Sequence, residues 1–389
     1  MGIMALRLIN IGIVCYPTYG GSGVVATELG MALASKGHNV HFISYKRPAR
    51  LGIYQTNVYY HEVSTSEYPL FDFKPYDTAL ASKIVDVALH NNLDVLHVHY
   101  AIPHAIIGFL AREILFTKGK RIPLITTLHG TDITLVGVDP SFYPVVEFSI
   151  NQSNTVTAVS NSLKSDTLKA FNIQKDIHVI PNFIDLERFK PQDPRSLRCK
   201  FATSDQKIIS HISNFRKVKR IDDIIRMFEI VQKTVPSKLL LIGDGPEFGS
   251  LVNLVDQLKL TESVIFLGKQ DSVEELLAIS DLFMLTSDKE SFGLSALEAM
   301  ACGVPVISSD AGGLKEVNIH GITGYSCPVG DFEMMSDYAI RLLTDDKLHQ
   351  LFKQNALSQA RVFELSNILP MYEQIYESSL IAMEDSPII

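Results

Sequence analysis

The sequence predicts an α/β chain of two Rossmann-like domains, each a doubly wound parallel sheet. Three observations carry this expectation. At 389 residues the chain exceeds one compact core and suits two domains of somewhat under about 200 residues each. A strand-like run, a glycine loop and a helical stretch open it in β-α-β order, which demands a parallel sheet. After a proline-rich stretch a second alternating series begins.

The elements follow in order. Residues 8–14 are an apolar run of strand type. Residues 24–36 carry apolar side chains at Val25, Leu29, Ala32 and Leu33, a helical spacing that Gly37 ends as a left-handed cap. Residues 40–44, 95–98, 124–127 and 155–159 extend the first sheet. The segment "VIPNFIDLERFKPQDP" at 179–194 has three prolines and no alternation, so 181–194 is expected as a linker between domains 1–180 and 195–365. Strand-like runs at 208–212, 239–242, 264–267, 282–285 and 304–308 then alternate with helical stretches such as 222–233 and 273–278. Ligands of such sheets sit at the C-terminal strand ends, so the site is expected in a cleft there.

Composition narrows the function. Charged residues make up 20% and apolar ones 46%, ordinary for a globular protein with a sizeable core. A net charge of −8 and a pI near 5.8 leave no broad basic surface for nucleic acid or an anionic membrane. Cys15, Cys199, Cys302 and Cys327 lack metal or disulfide spacing and suit small core residues in a reducing compartment. With no signal-like start and no apolar run of about 18 residues, the expectation is a cytoplasmic protein without membrane insertion.

The stretch "PTYGGSGVVATELG" raises the question of a dinucleotide. A NAD site would place an acid at the end of the second strand, and "HFISYKRPAR" has none there. Gly20, Gly21 and Gly23 still turn backbone N–H groups and a helix start toward whatever enters, as an anion cradle does. The alternative is a turn that needs glycine for positive φ.

In "SDKESFGLSALEAMACGVPVISSDAGG", Glu290 and Glu298 stand with seven residues between them. A helix is expected from Ser291-Phe292-Gly293 to about Ala301, capped by Gly303, with Glu290 in the loop and Glu298 inside the helix. A solvated helix with two surface acids is the plainer reading of that spacing.

This segment resembles the E-x7-E signature of the retaining glycosyltransferases of family 4, which have the GT-B fold of two Rossmann-like domains facing across a cleft. "LLLIGDGPE", "VIFLGKQ" and "HGITGYSC" are similar to that family's recurring segments, and the likeness covers nearly the whole chain. The segments "CYPTYGGSGVVATELG", "YDTALASKI", "DVLHVHYAIPHAI" and "TTLHGTDITLVG" resemble a bacillithiol-pathway subgroup that transfers GlcNAc from UDP-GlcNAc to L-malate.

The resemblance implies roles. Glu298 would accept from the ribose hydroxyls, and Glu290 would contact the transferred sugar. Gly21, Gly23 and the backbone at Ser291, Phe292, Gly293 and Leu294 would meet the diphosphate. Breaking the sugar–phosphate bond loads negative charge onto UDP, so fixed cations are required. In "SNFRKVKRIDD" the family's usual arginine position holds Asn214, which leaves Arg216 and Lys219 for the phosphates and Arg220 as a substitute. No D-x-D triplet occurs, so the expectation is no metal and no cofactor, with UDP-GlcNAc as donor substrate.

His97, His99 and His104 form an H-x-H-x4-H set with His97 and His99 on one strand face. A metal site is the sharper reading, whereas a packed His97 with His99 and Tyr100 at the cleft mouth is the plainer one. His129 would lie near the donor sugar. Ser22, Arg50, Tyr100 and Thr127 are the acceptor candidates, donors and a cation for a dicarboxylate. A closing helix at about 366–389 would return to the first domain, as in related enzymes. A homo-oligomer is compatible with the sequence. An inositol phosphate-like acceptor, or a UDP-GlcNAc 2-epimerase that needs no acceptor, are the alternative readings.

Overall fold

The computed structural model describes residues 7–18, 20–52, 54–65, 74–192 and 195–385. It comprises two units, Met1–Pro181 with Ser366–Ile389, and Asn182–Leu365. In the first, β1 (Asn10–Val14), β2 (Asn39–Ser44), β3 (Val58–Glu62), β4 (Val95–His99), β5 (Leu124–Leu128), β6 (Thr155–Ala158) and β7 (Ile177–Val179) form a sheet in the order β3-β2-β1-β4-β5-β6-β7. Every pairing is parallel. Central strands are covered on both faces, so β4 and β5 are buried throughout, and their polar members His97, His99, Thr126 and Thr127 are buried with the apolar ones. The edge strands are not buried throughout. Strand β3 (VYYHE) is half exposed, and β7 has three residues.

In the second unit β8 (Lys207–Asn214), β9 (Ser237–Asp244), β10 (Val264–Gly268), β11 (Leu282–Leu285), β12 (Val306–Ser309) and β13 (Gly324–Cys327) pair in the order β10-β9-β8-β11-β12-β13. This is the winding of the first six strands of the other unit. The helix Ile221–Gln232 lays Ile224, Ile225, Phe228 and Val231, all fully buried, against Leu239 and Leu241 of β9. Each such side chain contributes about 1.5–3 kcal/mol by leaving water.

Two expectations are corrected here. The 181–194 stretch, expected as a linker between the domains, is part of the second unit from Asn182 onward. Phe183, Ile184 and Phe189 are at most 2% exposed, and Ile184 bridges Glu364. Three buried apolar side chains anchor it despite its prolines, and Asp193 and Pro194 lie outside the described residues. Of the cysteines, Cys15, Cys302 and Cys327 are buried but Cys199 is exposed, in the turn after the helix Arg195–Arg198.

The helix Leu365–Glu384 closes the first unit. Tyr372 and Tyr376 on it are fully buried, the Tyr376 hydroxyl meets His97 Nδ1 at 2.8 Å, Lys36 pairs with Glu373 at 3.1 Å, and Ser379 meets Thr155 at 2.8 Å. Residues 386–389 of the expected helix lie outside the described residues. In each sheet the strand order reverses beside the first strand, between β1 and β4 and between β8 and β11. The loops leaving those paired ends diverge to opposite faces and open a crevice.

Candidate functional site

At the β1/β4 crevice the helix Gly21–Ser35 starts directly after the glycine loop. Gly20 has φ −66, and Gly23 is already helical, so neither is needed for positive φ. Close packing is the reason instead. A Cβ on Gly23 would stand 2.5 Å from the Thr18 carbonyl oxygen and 2.6 Å from that of Tyr16. The bare backbone lets the helix start sit on the strand end, and Ser22 in its first turn meets the Tyr100 hydroxyl at 2.7 Å. Tyr100, with φ 87, follows β4, and burial pushes its phenol up to about 12. Both hydroxyls are therefore neutral hydrogen-bonding groups.

The other acceptor candidates do not join them. Thr127 is fully buried, its hydroxyl spent on His97 Nε2 and on the Thr157 hydroxyl, each at 2.7 Å. The register that sets Thr127 opposite both His99 and Thr157 turns it inward. Arg50 is neither solvated nor free, since its Nη1 lies 2.6 Å from Glu28 Oε1 on the glycine-loop helix.

His99 is not at a cleft mouth: it is fully buried, as are His97 and His104. Alternation puts His97 and His99 on one face, where their rings stack at 4.5 Å beneath the closing helix. His99 Nδ1 meets His129 Nε2 at 2.8 Å, and the His129 ring lies 5.2 Å from that of Tyr100. Burial lowers the imidazoles, His97 and His129 to about 3 and His104 to about 4, so all are neutral. Among the described residues no three His, Cys, Asp or Glu side chains come together to hold a metal.

Sequence reasoning missed Asp132. Its carboxylate is 2% exposed and accepts from the backbone N–H of Ala101 (2.8 Å), Gly130 (2.9 Å) and His129 (3.3 Å). It thereby ties the loop after β4 to the loop after β5, fixing Tyr100 and His129 together. Burial raises it to about 6 against those hydrogen bonds. The available signal was "HGTD", an aspartate two residues beyond a glycine, where side-chain bonds to nearby backbone N–H groups are common.

At the β8/β11 crevice Lys219 Nζ and Glu290 Oε2 stand 2.6 Å apart, with the Ser287 hydroxyl donating to the same oxygen at 3.3 Å. The helix carrying Glu298 begins at Leu294, not Ser291, because Gly293 (φ 98) takes a left-handed conformation that a helix cannot contain. It runs Leu294–Ala301, with Glu298 6% exposed inside it. Phe292 is buried edge-on to Phe363, so its side chain is spent on packing. Gly312 (φ 52) passes so close that a Cβ would meet the Glu290 carbonyl oxygen at 2.2 Å, and the Gly313 N–H donates to that oxygen at 2.9 Å. The loop that pairs Glu290 with Lys219 thus runs through Gly293 into the first turn of that helix, and a lysine and first-turn N–H groups are both donors suited to a phosphate-bearing ligand.

The remaining cations separate from that group. Arg220 (φ 48) is held by Asp223 at 2.6 Å and Asp288 at 3.4 Å. Arg216 is exposed and lines a cavity of about 270 Å³ with Arg220, Glu247 and Asp288, in which Lys219 and Glu290 take no part.

Residues 195–359 match the family described as Glycosyl transferases group 1, and residues 19–188 the one described as Glycosyltransferase Family 4. The chain is 50% identical over 370 residues, 95% of its length and 96% of the relative's, to the N-acetyl-alpha-D-glucosaminyl L-malate synthase of Bacillus anthracis. Its fold matches that of Anabaena Alr3699/HepE in complex with UDP and glucose, at a TM-score of 0.81 and 21% identity, covering 96% of this chain and 100% of that one. The sucrose-phosphate synthase of Thermosynechococcus elongatus gives 0.81 and 19%, covering 97% and 100%.

Proposed function

The chain belongs to glycosyltransferase family 4, and from that premise we propose that it transfers N-acetylglucosamine from UDP-GlcNAc to the hydroxyl of L-malate, in the bacillithiol pathway. The observation that carries the reading is the 50% identity to the Bacillus anthracis L-malate synthase over 95% of the chain. In this reading Lys219 and the first turn of the helix Leu294–Ala301 stabilise the charge that develops on the departing UDP. Glu298 accepts from the ribose, and Glu290 exchanges its bond with Lys219 for one with the sugar. Arg216 reaches the phosphates from the neighbouring cavity wall. Ser22 and Tyr100 donate to a malate carboxylate, and His129 beside them contacts the sugar.

The same reading has the enzyme retain anomeric configuration and work without metal in the cytoplasm. In support of the metal-free step, a lysine and helix N–H groups supply the positive charge a divalent ion would bring. Among the described residues no helix is long and apolar enough to cross a membrane.

The test is UDP release from UDP-GlcNAc in EDTA with L-malate, D-malate, inositol phosphate or no acceptor. Turnover with L-malate alone is expected. Release without acceptor points to an epimerase, and dependence on added divalent metal overturns the cation assignment.

A further inference from the structure

We propose that His99 is a positioning residue that holds His129 as the Nδ1–H tautomer, so that His129 offers the transferred sugar a hydrogen-bond donor. The role of His129 at the sugar rests on the function proposed above; its tautomer does not.

One proton lies between His99 Nδ1 and His129 Nε2, 2.8 Å apart. If His129 donated it, His99 would carry its own proton on Nε2, which is sealed from solvent and has no hydrogen-bond partner. That would leave a buried N–H orphaned, which native structures avoid more strictly than an unused acceptor. If His99 donates, the unused atom is a lone pair. The adjacent His104 displays that choice where it is forced. Its Nδ1 lies 2.6 Å from the His99 carbonyl oxygen, which can only accept, so the proton is on Nδ1 and the buried, unpartnered Nε2 is bare.

Protonating the pair would escape the choice, but burial, together with the two further buried histidines His97 and His104 beside it, disfavours any imidazolium. With Nε2 accepting from His99, His129 carries its hydrogen on Nδ1. That nitrogen has no hydrogen-bond partner among the described residues and is not sealed from solvent. The His129 backbone is fixed as well, through its N–H to Asp132. An imidazole held in this way donates to an oxygen and does not serve as base for the acceptor hydroxyl.

The experiment records long-range ¹H–¹⁵N spectra of the free, full-length protein labelled at histidine, with the His129 signals identified by their loss in His129→Gln. A protonated Nδ1 and bare Nε2 at His129 are expected; a protonated Nε2 overturns the proposal. In UDP-release kinetics His99→Leu lowers kcat roughly 10- to 100-fold, the range for a misplaced active-site group. His99→Asn, whose amide keeps an N–H for His129, recovers most of that loss, with KM for UDP-GlcNAc changed less than kcat. Equal losses in the two variants overturn the positioning role. If His99→Leu does not fold, the wild-type spectrum alone decides. The expected tautomer in a protein that ignores L-malate would refute the function and leave this inference standing.

Discussion

The crevice at β1/β4 presents neutral hydroxyls and imidazoles, with one buried carboxylate, Asp132, tying its loops, whereas the one at β8/β11 is built from ion pairs. In the first, a serine and a tyrosine share a hydrogen bond and four buried imidazoles lie behind or beside them. In the second, Lys219 pairs with Glu290 and Arg220 with Asp223 and Asp288. The sheets are wound alike, so winding supplies the place and the loop residues supply the chemistry. Each crevice also depends on a glycine without room for a side chain, Gly23 against two carbonyls and Gly312 against Glu290.

The largest expected effect separates the two. Lys219→Ala lowers kcat/KM for UDP-GlcNAc by roughly 10²–10³, the range seen when one stabilising group is removed from a developing anion. Steady-state kinetics measure it. A loss confined to the KM of the acceptor would assign the charged crevice to the wrong substrate.

The neutral crevice is expected to answer in the opposite coordinate. Ser22→Ala and Tyr100→Phe each raise the acceptor KM about tenfold, the worth of one hydrogen bond of about 1.4 kcal/mol, with UDP affinity by calorimetry unchanged. Because the two hydroxyls touch, their effects should be less than additive. Strict additivity would show that they act apart.

An acid titration sharpens the contrast in stability. In the first unit His38, His41, His61, His97, His99, His104 and His129 are all lowered by burial, against His211 and His349 in the second. A histidine whose folded pKa is depressed stabilises the fold above its unfolded value of about 6.5. Below that pH the unfolded chain binds the proton first, and each such group removes up to about 1.4 kcal/mol per pH unit until its folded pKa is reached, about 3 for His97 and His129 and about 4 for His41, His104 and His211. Asp132, raised to about 6, acts in the other sense and offsets one of them between its unfolded and folded values. Hydrogen exchange between about pH 7 and pH 4 should show the first unit losing protection before the second. Simultaneous loss would mean that the units unfold as one.

The smallest effect tests the division within the charged crevice. Arg220→Ala leaves Asp223, 3% exposed, without its partner and should cost about 1–3 kcal/mol in chemical denaturation. Its kcat should fall far less than that of Lys219→Ala, since Arg220 is committed to two carboxylates. A comparable fall in kcat would return Arg220 to the phosphates.

Much of this was legible beforehand, for stated reasons. Central strands buried on both faces are rich in apolar residues, so the runs that became β1, β4, β5 and β11 stood out, while half-exposed β3 and short β7 did not. The prolines at 181–194 suggested a linker because chain breakers are visible in sequence and the burial of Phe183 and Phe189 is not. Thr127 looked available for the same reason: its neighbours His97 and Thr157 are 30 residues away on either side. Asp132, by contrast, bonds largely within its own loop.

By itself the sequence determined the α/β class, the glycines at the strand ends and the chemical types gathered in "SNFRKVKRIDD" and "SDKESFGLSALEAMACG". Those depend on local periodicity, backbone sterics and side-chain charge, all written in adjacent residues. Only the tertiary structure decided which groups meet: Ser22 with Tyr100, His99 with His129, Lys219 with Glu290. Those partners stand 78, 30 and 71 residues apart. Strand order and register bring them within hydrogen-bond distance, and the falloff of polar interactions beyond that distance makes the choice of partner a property of the fold.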